Sequence, residues 1–437
     1  MARPTAAMSQ STGEADSDFT TAMAHWKTFL SFATFGDVNT SIAAPDLPEM
    51  PADIASRWML DPRVTFLNHG SFGAVPRVVF DAHTDWRRRI ESEPIERIAP
   101  LRGGRGLLEE AKKPVAALMR MRNEDFGFVT NATEGVNAVL RSLEFKPGDE
   151  LVTTNHVYNA IRKAMQYVAR RQGAAYREVV VPFPTRGEDE IANAVIDSLG
   201  QRTRLLVIDH VTSPTALIFP VARIARACIE RGIEVLIDGA HAPGMLELDV
   251  PGTGATYYAG NLHKWCCAPK GSGFLWVGPK RQRDIHPLII SHHLDEGFAI
   301  EFGWQGTRDV SAWLAVPEAL KFLADLGWER VRKYNHALAL WAHRWLADRL
   351  KVLQCSPADG SLLGSMVTLP MPAPLDSLDE NQALAMQRRL YDEYQLEMPL
   401  MVWNGRCYLR IAAQVYNTPA QIERAASIIE KVVNERR

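Results

Sequence analysis

Between residues 66 and 277, short apolar runs rich in β-branched and aromatic residues alternate with stretches of helical periodicity. That alternation is the signature of a parallel or mixed sheet whose faces are covered by helices. The clearest runs are 126–130, 151–154, 178–181, 205–209, 235–238 and 273–277, and helices are expected at 134–143, 160–171, 191–199 and 224–231. Several runs end on a polar residue, Asp209 and Asp238 among them. In open α/β sheets ligands gather at the carboxyl ends of strands, so function should concentrate in the loops that follow.

The pattern changes after residue 310. Helices are expected at 313–326 and 328–350, then an alternating stretch at 365–369, a helix at 381–394, a strand at 406–412 and a closing helix at 419–435. The expected organisation is an N-terminal extension over 1–55, a large α/β domain over 56–310 with a mainly parallel mixed sheet, and a smaller α+β domain over 311–437. Pro45, Pro48 and Pro51 interrupt regular structure in the extension, where one helix is expected at about 22–35.

Composition narrows the function classes. With 437 residues and 46% hydrophobic content the chain buries a large core, and its net charge of −2 gives no electrostatic reason for a nucleic-acid partner. No run approaches the roughly 18 to 20 apolar residues that span a bilayer. The first residues lack a basic start, an apolar stretch and a small-residue cleavage site, so a cytoplasmic location is expected. Five cysteines without CxxC spacing argue against both a disulfide framework and a zinc ribbon.

Two segments carry the chemistry. Residues 235–244 (Val-Leu-Ile-Asp-Gly-Ala-His-Ala-Pro-Gly) read as a buried strand ending in Asp238, and residues 257–265 (Tyr-Tyr-Ala-Gly-Asn-Leu-His-Lys-Trp) place Lys264 after His263. Pyridoxal phosphate requires an amine to capture its aldehyde and a carboxylate to keep its ring nitrogen protonated. Residues 130–137 (Thr-Asn-Ala-Thr-Glu-Gly-Val-Asn) follow a strand and open a helix, where backbone N–H groups and Thr133 suit a phosphate. Taken singly, each feature has an ordinary reading. A strand-end aspartate commonly caps a turn, a lysine is commonly solvated, and a threonine at this position commonly caps a helix. The ordered combination carries the inference. Walker and dinucleotide loops are disfavoured, since no Gly-Lys-Ser/Thr follows the first loop and Gly103-Gly-Arg-Gly106 lacks a preceding strand.

In these motifs the chain resembles the class V aminotransferases of pyridoxal-phosphate fold type I, and within them the isopenicillin N epimerase-like group. The resemblance runs from about Arg57 to the C-terminus and is most specific at 66–76 (Phe-Leu-Asn-His-Gly-Ser-Phe-Gly-Ala-Val-Pro), 131–135, 209–213, 238–241, 263–264 and 409–417. It implies that Lys264 binds the cofactor covalently, Asp238 partners the ring nitrogen and His241 lies near the phenolic oxygen. It further implies phosphate contacts from Ala132, Thr133, Asn261 and His263, and a ring-side contact from Ser213 where relatives often place asparagine. The aromatic stacking on the cofactor falls in 155–159, with Tyr158 preferred over His156. Arg410 matches the arginine that grips the substrate's α-carboxylate, and Asn68 and His69 match a segment folded over the active site. Thr307, after Gly306, matches a loop reaching the neighbouring subunit's phosphate, which implies a homodimer.

The implied chemistry starts with proton removal from the α-carbon of an amino acid by Lys264, and the later branch is open. β-Elimination from a sulfur-substituted amino acid ranks first, epimerisation second and transamination third, with Tyr158, His156 and His69 as candidate second acids. A desulfurase is disfavoured because Gln395 occupies the position of its mobile-loop cysteine, and Cys407 reads as a packing residue. A regulatory protein that keeps the fold without catalysis is the reading from another class, and the presence of Lys264 and Asp238 weighs against it. His292, His293, Asp295 and Glu296 lack a second ligand pair at helical spacing, so no metal is expected and the segment reads as a loop near the site entrance.

Overall fold

A computed structural model describes residues 42–436, so the helix expected at 22–35 lies outside the described residues. Seven strands form the main sheet: β1 (Phe126–Val129), β2 (Glu150–Thr154), β3 (Ala175–Val179), β4 (Thr203–Asp209), β5 (Glu234–Gly239), β6 (Tyr257–Asn261) and β7 (Gly273–Val277). Their order is β1-β7-β6-β5-β4-β2-β3. Pairings β6–β5–β4–β2–β3 are all parallel. Only β7 runs antiparallel to its neighbours, with Gly273 paired to Val129 on one side and to Asn261 on the other. The architecture is therefore the α/β fold with a mainly parallel mixed sheet that the sequence pattern implies.

Between the strands run α3 (Ala132–Ser142), α4 (Asn159–Gln172), α5 (Glu188–Ser198) and α6 (Val221–Glu230), preceded by α1 (Arg77–Ser92) and α2 (Gly104–Met119). Every residue of β1, β2, β6 and β7 is buried, as a sheet covered on both faces requires. The core under α3 and α4 gathers Val136, Val139, Leu140, Ile161, Met165, Leu205, Leu236 and Leu275. Gly135 lets α3 approach closely, since a Cβ there would lie 3.1 Å from the Ala259 Cβ.

A second, three-stranded antiparallel sheet contains β8 (Met366–Pro370), β9 (Leu400–Trp403) and β10 (Arg406–Ala412) in the order β9-β10-β8. Helices α7 (Val316–Leu326), α8 (Trp328–Leu350), α9 (Glu380–Tyr394) and α10 (Pro419–Asn434) accompany it, and α8 packs on both β8 and α10. The helix expected at 313–326 is divided into Ser311–Leu314 and α7. Pro317 explains the division, because a residue without an N–H fits the first turn of a new helix and not the interior of an old one.

Residues 65–73 tie the early chain to this second sheet. Thr65–Phe66 pair in parallel with Leu396–Glu397, and the Ala412 N–H donates to the Leu67 carbonyl at 2.9 Å. The segment then turns through Gly73 at φ 71°, where a Cβ would sit 1.9 Å from the His263 carbonyl oxygen. Only glycine permits that approach. No helix among the described residues is long and apolar enough to cross a membrane.

Leu236 is fully buried in β5 at the centre of the sheet. Leu236→Ala is expected to lower stability by about 2–5 kcal/mol, the range for a leucine deleted from a packed core. Urea denaturation followed by circular dichroism checks it.

Candidate active site

The carboxyl ends of β1, β2, β4, β5 and β6 open onto one region, and the residues singled out by sequence lie in the loops that leave them. β5 delivers Asp238 and, in the following turn, His241. β6 delivers Asn261, His263 and Lys264. β1 leads into the start of α3, and β2 into Tyr158 at the head of α4. Arg410 comes from β10 of the second sheet.

Lys264 is half-buried, and its Nζ lies 3.0 Å from His241 Nε2. Burial pushes its pKa down to about 7, and the nearby Arg410 guanidinium acts in the same direction; Asp238 and Asp209 oppose them. Burial thus favours the neutral amine, the form a nucleophile or general base needs. His241 is itself held well below its usual range by burial and by the cationic Lys264. Its Nδ1 is buried without a hydrogen-bond partner among the described residues. Asp238 is buried and accepts the Ala240 N–H at 2.9 Å. Burial raises its pKa, against the pull of that N–H and of Lys264.

At the N-terminus of α3, the Asn131 side chain caps the Glu134 N–H at 2.9 Å. The Ala132 N–H donates to Asn261 Oδ1 at 2.7 Å, so these two expected phosphate contacts are bonded to each other. Asn261 therefore fixes the loop to the end of β6. Thr133 remains half-exposed at the mouth of the helix. Glu134, which would repel a phosphate, is turned onto the Thr130 N–H at 2.7 Å and the Thr130 hydroxyl, and lies 4.0 Å from Arg308. Thr307, beside Arg308, is exposed on a loop near this helix start. His263 donates from Nδ1 to the Ser272 carbonyl at 3.0 Å, and burial lowers its pKa to about 4.

Arg410 is buried, and burial brings its pKa down to about 10. Its Nη1 donates to the Ser213 carbonyl (2.7 Å) and hydroxyl (3.2 Å), its Nη2 to the Ser71 hydroxyl (3.0 Å), and its Nε has no partner among the described residues. Ser71 in turn donates to Asn68 Oδ1 at 2.5 Å. A buried guanidinium facing a carbonyl, hydroxyls and no carboxylate is a receptor for an anionic ligand. Ser71 was not foreseen; its place in the 66–76 motif, two residues after His69, was the available signal. Ser213 contacts Arg410, a role the sequence did not distinguish from a ring-side contact.

Two histidines are placed differently from expectation. His69 is fully buried, with Nδ1 on the Tyr416 hydroxyl (2.8 Å) and Nε2 on the Lys264 carbonyl (3.0 Å). Its ring braces the backbone of the lysine loop, and neither nitrogen is open to a substrate. His156 is equally buried, held by Thr215 Oγ1 (2.7 Å) and the Val181 carbonyl (3.0 Å). Tyr158, 46% exposed at the head of α4, retains an accessible ring.

Three kinds of feature in this site match the demands of pyridoxal phosphate: an amine of lowered pKa, a buried carboxylate one strand away, and an open helix N-terminus for the phosphate. The partnerless His241 Nδ1 and Arg410 Nε are further polar groups in want of a ligand. The sequence model of the aminotransferase class-V family matches residues 75–424. The chain belongs to this family of pyridoxal-phosphate-dependent enzymes. An isopenicillin N epimerase of Streptomyces clavuligerus is 33% identical over 395 residues, covering 87% of this chain and 97% of the relative. An L-cysteine desulfhydrase of Arabidopsis thaliana is 30% identical over 406 residues, covering 85% and 88%. Among solved structures, the apo cysteine desulfurase of Thermococcus onnurineus NA1 matches with a TM-score of 0.74 at 19% identity over 89% of this chain and 99% of that one. A cystine C–S lyase in complex with its product, cysteine persulfide, matches with a TM-score of 0.71 at 22% identity, covering 84% and 97%. The two structural likenesses show the shared fold.

Lys264 in the cofactor-free class V enzyme is expected to react with a neutral amine-selective acylating reagent at a rate that rises with pH through a midpoint near 7. Solvated lysines titrate near their usual 10.4. Peptide mapping of the labelled protein across pH 6–10 separates the two.

Proposed function

We propose that this class V enzyme breaks the carbon–sulfur bond of a cysteine-derived amino acid by β-elimination. The carrying observation is the pairing in one site of an amine of lowered pKa, Lys264, with a buried guanidinium, Arg410, whose partners are one carbonyl and two hydroxyls and no carboxylate. That arrangement suits an α-amino acid: the guanidinium takes the carboxylate and the amine faces the α-carbon. The desulfhydrase relatives support a sulfur-bearing side chain, and the buried state of all five cysteines fits a reaction that uses no cysteine nucleophile. At the position expected for a desulfurase loop cysteine, Gln395 closes α9 in a left-handed conformation.

Bound pyridoxal phosphate supplies an aldehyde for the substrate amine and a ring that accepts electrons from the α-carbon. The protein's part is positional and electrostatic. Asp238 would hold a negative charge for the ring nitrogen, Thr133 and the N-terminus of α3 would hold the phosphate, and Tyr158 would offer its ring to the cofactor. Arg410 exchanges the Ser71 and Ser213 hydroxyls for the substrate carboxylate in a bidentate grip. Lys264 accepts the α-proton, and His241, 3.0 Å from its Nζ, orients the amine. With His69 and His156 fully engaged, Tyr158 is the acid left for the departing sulfur. We further assign the enzyme to the cytoplasm and to a homodimer in which the Thr307 loop approaches the partner's phosphate.

Epimerisation is the second reading, favoured by the 33% identity to isopenicillin N epimerase. It requires Tyr158 to return a proton on the face of the α-carbon opposite Lys264.

Purified holoenzyme given S-substituted L-cysteines is expected to release pyruvate and ammonia, with no oxo acid retaining the sulfur. Accumulation of D-amino acid without pyruvate would instead establish the epimerase. Lys264→Ala is expected to lose both the visible absorption of lysine-bound cofactor and turnover. Arg410→Lys is expected to raise KM by about ten- to a hundredfold, the worth of one charge-assisted hydrogen bond, in steady-state assays.

A further inference from the structure

The site contains a second buried carboxyl that the reaction outlined above does not use. Asp209 ends β4, and the parallel ladder makes it the direct register partner of Asp238 on β5. Neighbouring strands lie about 4.8 Å apart, and both side chains are buried. Asp238 receives the Ala240 N–H. The backbone N–H of Tyr158 lies close enough to Asp209 to favour its charged form, and the Asp209 Oδ2 is buried with no partner among the described residues. A charged oxygen so placed, beside a second carboxylate, is costly; a protonated one carries no charge and gains a donor.

We propose that Asp209 is a neutral, protonated carboxylic acid at pH 7 and acts as the positioning residue for Asp238, its O–H directed to the Asp238 carboxylate and its other oxygen holding the Tyr158 N–H. A single side chain then sets both the charge beside the ring nitrogen and the head of the helix that carries the stacking aromatic. The pair bears one negative charge, which one cationic ring nitrogen balances; two would leave an excess. This inference rests on the reading of Asp238 as the ring-nitrogen partner.

The groups facing Asp209 are Asp238 from β5, the Lys264 amine from the loop after β6, and Arg162 from α4, which is paired with Glu178 at 2.8 Å. Tyr258 of β6 lies on the opposite face of the sheet from Asp238, its hydroxyl 2.9 Å from His210 Nδ1. Burial and the Asp238 charge raise the Asp209 pKa well above its ordinary value, in that order, and outweigh the Tyr158 N–H and Arg162. The sign follows. A carboxyl raised in the folded state binds a proton that the unfolded chain has already lost, so its stabilising contribution declines as pH rises from the unfolded value toward the folded one.

The test uses the full-length apo-protein as wild type, Asp209→Asn and Asp209→Ala. Infrared difference spectra at pH 7 between wild type and Asp209→Asn are expected to show a protonated-carboxyl band that shifts in heavy water; its absence overturns the proposal. Asparagine is neutral at every pH, so the urea midpoint of wild type is expected to fall relative to Asp209→Asn as pH rises from 5 to 9. A gap of opposite sign means an ionised Asp209 and overturns it. Pyridoxal phosphate affinity is expected to stay within about threefold in Asp209→Asn and to drop about tenfold or more in Asp209→Ala. An equal drop in both, or none in Asp209→Ala, overturns the positioning role. Wild-type protein that takes up no pyridoxal phosphate overturns the proposed function and the positioning role with it, while the infrared band still decides the proton.

Discussion

Lys264, Arg410, Asp238 and Asp209 share a space poor in water, and the interactions among them govern the rest of the site. The cations repel each other, which with burial brings the lysine to the edge of neutrality, while the Asp238 carboxylate pulls it back. Interactions of this kind are several times stronger away from solvent than on a surface. Neither a lone lysine nor a lone aspartate acquires such properties. They arise because two sheets contribute opposite walls: the parallel sheet supplies the carboxylates and the amine, and β10 supplies the guanidinium.

Holding those walls requires a brace, and residues 65–73 act as one. They pair with the chain near 396–397, accept from Ala412, and press Gly73 against the His263 carbonyl. His69 then fastens the Lys264 carbonyl to Tyr416, with Gln414 and Cys267 packed around the same ring. The backbone of Lys264 is thus secured by a cluster of buried groups.

The parallel sheet was legible because apolar runs bounded by polar turns leave little choice of structure. β7, α8 and β10 have the bounds that periodicity alone implied. β6 was not recognised as a strand: Tyr-Tyr-Ala-Gly-Asn has no β-branched residue, and its strand character comes from pairing with β5 and β7. Helices α1 and α2 escaped notice too, the first for its many arginines and the second for Pro114 in its interior. In the site, residue type and order singled out Lys264, Asp238, His241 and Arg410. The direction of a side chain is not written in spacing, which is why His69 was expected at the substrate and lies beneath the lysine, and why Ser71 and the carboxyl of Asp209 passed unremarked as ligands.

β7 has a consequence for how the two halves of the site keep their distance. Its first residue, Gly273, is paired in register between Val129, where the loop leading to Thr133 departs, and Asn261, where the loop leading to Lys264 departs. The gap between the two loops is therefore the width of one strand on either side of Gly273, a spacing of about 10 Å fixed by backbone ladders. A Cβ at Gly273 would lie 2.8 Å from the Gly260 carbonyl and 3.0 Å from Asn131 Cα. The strand works as a gauge block: the separation of the two loops is set by backbone pairing rather than by loop side chains, and it holds as long as that one position carries no side chain.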